Sequence, residues 1–224
     1  ALAALLPIEI TAIILYNKAI KTSPLSITIP FLGLTPLFLI VTAFVILGEQ
    51  PDKSGLAGIV LVAAGAYTLN VKETRAGLTA PLRAIIRERG SLMMVVVAIL
   101  YSLTSVLGKI CAQNSGPAFF AMIYVLIVPI LLYPLIHMYS PPGMLVLAFR
   151  NPWFILIGLF YGLMLLCHLN AVVLVEVPYM ISLKRSSLLF SILYGKIIFH
   201  EKGFYERFAG GVLMLVGILC ITVI

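Results

Sequence analysis

LGEQPDKSGLAGIVLVAAGAYTLN, residues 47–70, reads as the end of an apolar helix, a polar turn and a short helix rich in Gly and Ala. The stretch has an echo in FHEKGFYERFAGGVLMLVGILCITVI, residues 199–224. At an offset of 152 positions (Glu49 to Glu201), Ala57-Gly58 falls on Ala209-Gly210, Val60-Leu61 on Val212-Leu213 and Gly65 on Gly217. The match runs backwards without a gap, Leu37-Phe38 onto Leu189-Phe190 and Ile40 onto Ile192. Aliphatic identities recur by chance in an apolar chain, so the glutamates at the helix ends and the paired glycines carry the weight.

The repeat sets the domain plan. Residue 1 aligns with Trp153, so the apolar runs at 91–112 and 117–138 have no counterpart in the first half. On this alignment roughly 60 residues, or two spans, are expected to precede Ala1. Residues 1–70 then hold the last three helices of a first repeat, 71–90 a basic connecting loop, and 91–224 a complete five-helix second repeat. An odd number of spans per repeat inserts the two halves in opposite directions, the plan of many secondary transporters. The predicted fold is an all-α membrane protein, a polytopic bundle with about eight transmembrane helices here of a ten-helix inverted 5+5 repeat. The eight runs are 1–20, 25–47, 55–70, 91–112, 117–138, 152–174, 179–199 and 207–224.

Composition requires the membrane. Of 224 residues, 62% are hydrophobic and 10% charged, and mean hydropathy is +1.16. Soluble domains carry about 25% charged residues, and a soluble fold of this size could not hide so much apolar surface. The net charge of +7 fits basic residues gathered in cytoplasmic loops. No basic face interleaves with aromatics, which argues against nucleic-acid binding. Cys111, Cys167 and Cys220 lie in apolar runs and read as small buried hydrophobes. His137, His168 and His200 lie in different elements, so no metal site is expected. No cofactor motif is present either. Within 71–90, a short interfacial helix is expected from Pro81 to Arg89.

Hydrophilic residues inside the spans mark the candidate site. Lys184, Ser187, Ser191 and Gly195 follow a 3.6-residue spacing, with Tyr194 at the border and Arg185 about 100° away. Thr28, Thr35 and Thr42 share a face of the second span and align with Met180, Ser187 and Tyr194. Glu9 and Tyr16 share a face and align with Tyr161 and His168. Ser102, Ser105 and Lys109 form another stripe. Convergence of these stripes would line a hydrated central pocket. Each has a structural alternative: Lys184 and Lys109 can snorkel to the interface, hydroxyls can bond their own helix, and His168 can be a satisfied core residue. Glu9 lies mid-span, where a carboxylate is costly; it is the candidate for proton coupling, or a protonated group bonded to a neighbouring helix. Pro30, Gly33 and Pro36 interrupt the second span as a hinge or a fixed kink. The pairs Gly58/Gly65 and Gly210/Gly217 read as helix packing, with a dimer interface as the alternative.

The turns LGEQPDKSG and FHEKGF, each followed by an Ala/Gly-rich helix, resemble the end of an EamA-type repeat of the drug/metabolite transporter superfamily. LYNKAIKTSPLSITIPFLGLTPLF (residues 15–38) resembles the passage between the third and fourth helices of that repeat. The resemblance covers nearly the whole chain. It implies ten helices in two inverted halves around a cavity, alternating access, and small metabolites such as amino acids, sugars or nucleotide sugars as cargo. LKRSS, residues 183–187, resembles a basic site of some bacterial members, which implies that Lys184 or Arg185 faces anionic substrate groups. The expected function is secondary transport of small polar metabolites, with no enzymatic activity. A lipid-headgroup or nucleotide-sugar translocator and a non-transporting subunit are the alternatives. The expected setting is a multi-pass protein of the bacterial cytoplasmic membrane, monomeric or homodimeric, with a small-molecule substrate and the lipid bilayer as partners. Loop charge places 71–90 in the cytoplasm and the C-terminus outside, whereas the resemblance implies two cytoplasmic termini.

Overall fold

A computed structural model describes residues 1–23, 28–71, 89–139, 151–187, 190, 197 and 204–222. Among them the regular structure is helical: α1 (Leu2–Thr22), a 3-10 segment (Ile29–Leu34), α2 (Thr35–Leu47), α3 (Lys53–Val71), α4 (Arg89–Ser115), α5 (Pro117–Tyr139), α6 (Pro152–Leu174), α7 (Val177–Lys184) and α8 (Phe204–Thr222). Leu2–Thr22, Arg89–Ser115, Pro117–Leu135 and Pro152–Leu174 are long and apolar enough to cross a membrane. Phe31–Leu47, Lys53–Thr68 and Gly210–Ile221 are shorter apolar helices. The fold is a polytopic membrane helix bundle. The connector and the interfacial helix expected before Arg89 lie outside the described residues, while Arg89 itself opens α4.

The second span is interrupted where Pro30, Gly33 and Pro36 were expected to break it, and a span expected to be continuous is interrupted too. Between residues 25 and 47 a 3-10 segment precedes α2. In the span expected at 179–199, α7 ends at Lys184 and a turn occupies Arg185 and Ser186 before helix resumes at Ser187. The single stripe through Lys184 and Ser187 therefore crosses a break, and its 3.6-residue spacing does not describe one surface there.

The chain forms two compact units: Ala1–Ile10 with Leu107–Val175, and Thr11–Val106 with Glu176–Ile224. In the first unit α5 packs beside α6. Pro152 begins α6 because Asn151 Oδ1 accepts from the Trp153 N–H at 3.1 Å, satisfying one of the orphan donors at the helix start. The first half of α6 is exposed on every face, Ile155, Leu159 and Phe160 included, as a helix solvated by lipid allows. Cys167 is on this exposed helix and Cys220 is half-buried, so only Cys111 is the buried hydrophobe expected.

The second unit is organised by α3 against α8. A Cβ added at Gly58 would come within 2.6 Å of the Gly217 carbonyl oxygen, and one at Gly217 within 2.7 Å of the Gly58 carbonyl oxygen. A Cβ at Gly65 would come within 2.7 Å of the Gly210 carbonyl oxygen. The two helices thus run antiparallel at backbone contact, which only small residues permit. Ile59, Val62, Ala66, Met214 and Ile221 close around this seam. A second cluster, Ala19, Phe31, Met94 and Val97, joins α1, the 3-10 segment and α4, with Tyr16 and Tyr101 packed on it. Gly48, at φ 72°, ends α2: its N–H reaches Phe44 O at 3.0 Å while the Glu49 N–H reaches Ala43 O at 3.3 Å. The left-handed conformation this closure needs suits glycine.

Candidate functional site

The site of the second unit lies where its two broken helices meet. Residues 32–34 align with 184–186 in the repeat; at the first the 3-10 segment gives way to α2, and at the second α7 ends in a turn. The local sequence explains both breaks. Pro30 and Pro36 each sit at the N1/N2 positions of their own helical segment, where a missing N–H costs little. Gly33 backs onto α3 so closely that an added Cβ would meet Ala66 Cβ at 3.1 Å. At Arg185 the backbone N–H is shared between Ile181 O and Ser182 O, a loosened last turn.

Arg185 reaches from this turn to the first half. Its NH2 donates to Thr35 Oγ1 at 3.2 Å. The Thr35 hydroxyl spends its own proton on Leu32 O at 2.8 Å, which leaves its oxygen an acceptor for the guanidinium. Tyr101 of α4 is near enough to Arg185 to act on its charge. Arg185 Nε is enclosed and has no hydrogen-bond partner, and neither has the Oγ of Ser182, one turn earlier on α7. Ser182 and Thr35 are 0% and 1% exposed, and Thr28 is also buried. Lys184, by contrast, is exposed, as is Ser187. Ser191 and Tyr194 lie outside the described residues.

A second group of contacts fixes the start of α7. Glu49 Oε2 accepts from the Val177 N–H at 2.8 Å, so a carboxylate from the α2–α3 turn caps a helix that its own Glu176 side chain does not cap. Tyr179 OH donates to Asp52 Oδ1 at 2.8 Å and accepts from the Asp52 N–H at 3.1 Å. The ring lies so close over Gly55 that any Cβ there would strike it. Asp52 also accepts from Ser54 Oγ at 2.6 Å and from the Gly55 N–H at 3.0 Å. The Ser54 hydroxyl, then Tyr179, then the Gly55 N–H hold its carboxyl below the ordinary value of 3.8.

In the first unit Tyr124 OH donates to Glu9 Oε1 at 2.9 Å, and Tyr161 is near enough to Glu9 to feel its charge. Lys109 is 6% exposed, and its Nζ donates to Val175 O at 2.7 Å, the carbonyl that closes α6. A cation there complements the negative end of the helix. His168 is half-buried. The hydroxyls of Thr42, Ser102 and Ser105 bond carbonyls of their own helices, the structural alternative raised above. Among the described residues no group of three His, Cys, Asp or Glu could hold a metal ion.

Sequence reasoning missed Ser182, Tyr124 and Tyr179. A signal existed for Ser182, three residues before Arg185 and therefore on its face of the helix. A spacing of 3.6 residues from Lys184 does not include it. Tyr124 and Tyr179 gave no signal, since their partners are 115 and 127 residues away.

Residues 1–71 and 88–223 match the EamA-like transporter family. The chain belongs to that family. EamA-like membership makes it a membrane transporter of the drug/metabolite type, and so a multi-pass integral membrane protein whose partners are a small-molecule substrate and the bilayer. Neither a curated protein nor a solved structure matches the chain.

Proposed function

We propose that this EamA-like protein is a secondary transporter of small polar metabolites that works by alternating access between two inverted halves. The carrying observation is the exchange of glycine contacts between α3 and α8. Under the 152-residue offset Gly58 is the equivalent of Gly210 and Gly65 of Gly217. In space Gly58 meets Gly217 and Gly65 meets Gly210. Such swapped pairing is the mark of a two-fold axis between the helices and perpendicular to both. For helices that cross a membrane this axis lies in the membrane plane, the relation that inverts one half against the other. The paired breaks at 32–34 and 184–186 supply movable segments at matching positions, and Pro30, Gly33 and Pro36 form the hinge of the first.

Glu9 couples transport to a proton gradient in this reading. It is a half-buried carboxylate in a span, held by one phenol from a neighbouring helix, and a change in its protonation changes that bond. The test is counterflow of radiolabelled amino acids and sugars in proteoliposomes, with and without a pH gradient. The expected result is flux of at least one solute that rises with the gradient and loses that dependence in Glu9→Gln. Flux of Glu9→Gln that still follows the gradient would remove Glu9 from the role. Absence of any flux in the wild type would remove the transport reading itself.

A further inference from the structure

We infer, on the alternating-access reading above, that the α2–α3 turn and the start of α7 form a latch. Glu49 on the Val177 N–H and Asp52 on the Tyr179 hydroxyl shut one mouth of the transporter, and they let go when that mouth opens. Three observations point to it.

The first half meets the second through contacts of unlike strength. Along the seam, α3 and α8 touch at the backbone of Gly58, Gly65 and Gly217, and Ile59, Val62 and Met214 beside them are fully buried. Parting them would forfeit the close packing that holds two membrane helices together. The latch is polar instead. Tyr179 OH and Asp52 exchange two hydrogen bonds where Asp52 is exposed, and Glu49 adds a third. Where water reaches, such bonds exchange for bonds to water at little net cost. The seam therefore stays as a pivot, and the latch is the part that opens.

The latch is also placed to transmit movement. Gly55, beneath the Tyr179 ring, lies about 10 Å along α3 from the middle of the seam, which gives a rocking motion its lever. Between the latch and the turn at Arg185–Ser186 runs a single piece of helix, the eight residues of α7. Its first amide is held by Glu49 and is not capped by its own Glu176 side chain. Release of Glu49 therefore hands that N–H to water, and α7 moves together with the break at its far end.

The two mouths are closed by different chemistry. The end of α1 lies across the broken span from the latch. There it meets the start of α4: a Cβ added at Gly90 would come within 2.5 Å of Ser23 Oγ and 2.9 Å of the Ala19 carbonyl oxygen. In the repeat Glu49 has its equal in Glu201, but Asp52 and Tyr179 fall on Phe204 and Ile27, side chains that cannot form a carboxylate–hydroxyl pair. The Tyr179 hydroxyl therefore weights the balance between the two mouths towards closure of its own, and its removal acts on one side only.

The test is double electron–electron resonance on the full chain in lipid nanodiscs, with Cys111, Cys167 and Cys220 replaced by alanine. One pair of spin labels, on cysteines in place of Lys53 and Met180, spans the latch. A second pair, in place of Lys21 and Arg89, spans the other mouth. The first pair is expected to give a dominant short distance and a minor longer one. Tyr179→Phe keeps the ring that packs on the seam cluster. It should raise the share of the longer distance about tenfold, the effect of losing hydrogen bonds to a charged group, while the second pair keeps its short distance. If Tyr179→Phe does not fold, Asp52→Asn removes the charge from the same pair and should shift the distribution in the same direction. The latch is overturned if the variant's distribution across it equals that of the wild type, or if both pairs broaden together, as a general loosening would make them. Solute flux in vesicles with both distances fixed would overturn the latch and leave the transport reading standing. Release across the latch without any flux would leave the latch standing and sink the transport reading instead.

Discussion

Two lysines and an arginine show how far a residue can be read from its neighbours in sequence. Lys109 and Lys184 both sit in apolar runs within reach of an interface. One is buried on the carbonyl of Val175, and the other is exposed. The difference is set by a helix end 66 residues further on, which spacing within a single helix cannot announce. Arg185 was legible as a charge in the wrong solvent, but its partner Thr35 was legible only through the repeat. Because Lys109 holds a helix terminus, Lys109→Met should leave the Val175 carbonyl without that donor and destabilise the first unit by about 1–2 kcal/mol. The check is the thermal midpoint in detergent. Lys109→Arg should recover part of the loss, whereas a merely snorkelling lysine would tolerate both substitutions.

At the scale of elements, length and hydropathy disclosed the helices, while their interruptions were disclosed in only one of two cases. Pro30, Gly33 and Pro36 advertise the first break. The second, at 185–186, contains no proline or glycine; it follows from the matching position in the repeat and from the contacts that end α7. Those contacts make the α2–α3 turn a clasp on the start of α7, through Glu49 to Val177 and Asp52 to Tyr179. The acid sensitivity of the clasp has a definite sign. The Asp52 carboxyl is held below 3.8 in the fold, so its contribution is complete above that value and is lost as pH falls through the lower folded value. Cross-linking between cysteines at positions 52 and 179 is a poor probe, since it removes the bond. Hydrogen exchange of the Gly55 amide reports on it directly: protection should hold from neutral pH to the ordinary carboxyl range and fall only below it. Tyr179→Phe should lower that protection at neutral pH. The glycine seam is less forgiving. In Gly58→Leu the new side chain meets a backbone oxygen, which cannot swing aside, and the loss should exceed about 2 kcal/mol.

For the whole molecule, the contact between turns gives a topological argument independent of the glycines. Within the first half the connection after α1 and the turn after α2 lie at opposite ends of the broken span between them. The turn after α2 touches the start of α7, and residues 176–179 are the repeat equivalents of 24–27, which follow α1 in the sequence. One end of the first half therefore meets the other end of the second, as inversion requires. Two copies inserted the same way would set those ends on opposite faces of the bilayer. Basic residues then orient the whole: Lys18 and Lys21 flank the connection after α1, whereas the α2–α3 turn carries Glu49 and Asp52 close in sequence to its Lys53. The positive-inside rule puts the first of these in the cytoplasm. With Cys111, Cys167 and Cys220 replaced by alanine, single cysteines at Ser23, Ser54 and Glu176 should react with a membrane-impermeant maleimide from two different sides. Positions 54 and 176 should label in intact cells, and position 23 only in inside-out vesicles. Since 176 is the equivalent of 24, labelling of 23 and 176 from the same side would mean two halves inserted in one direction, and neither a two-fold axis in the membrane plane nor alternation between inverted halves could then hold.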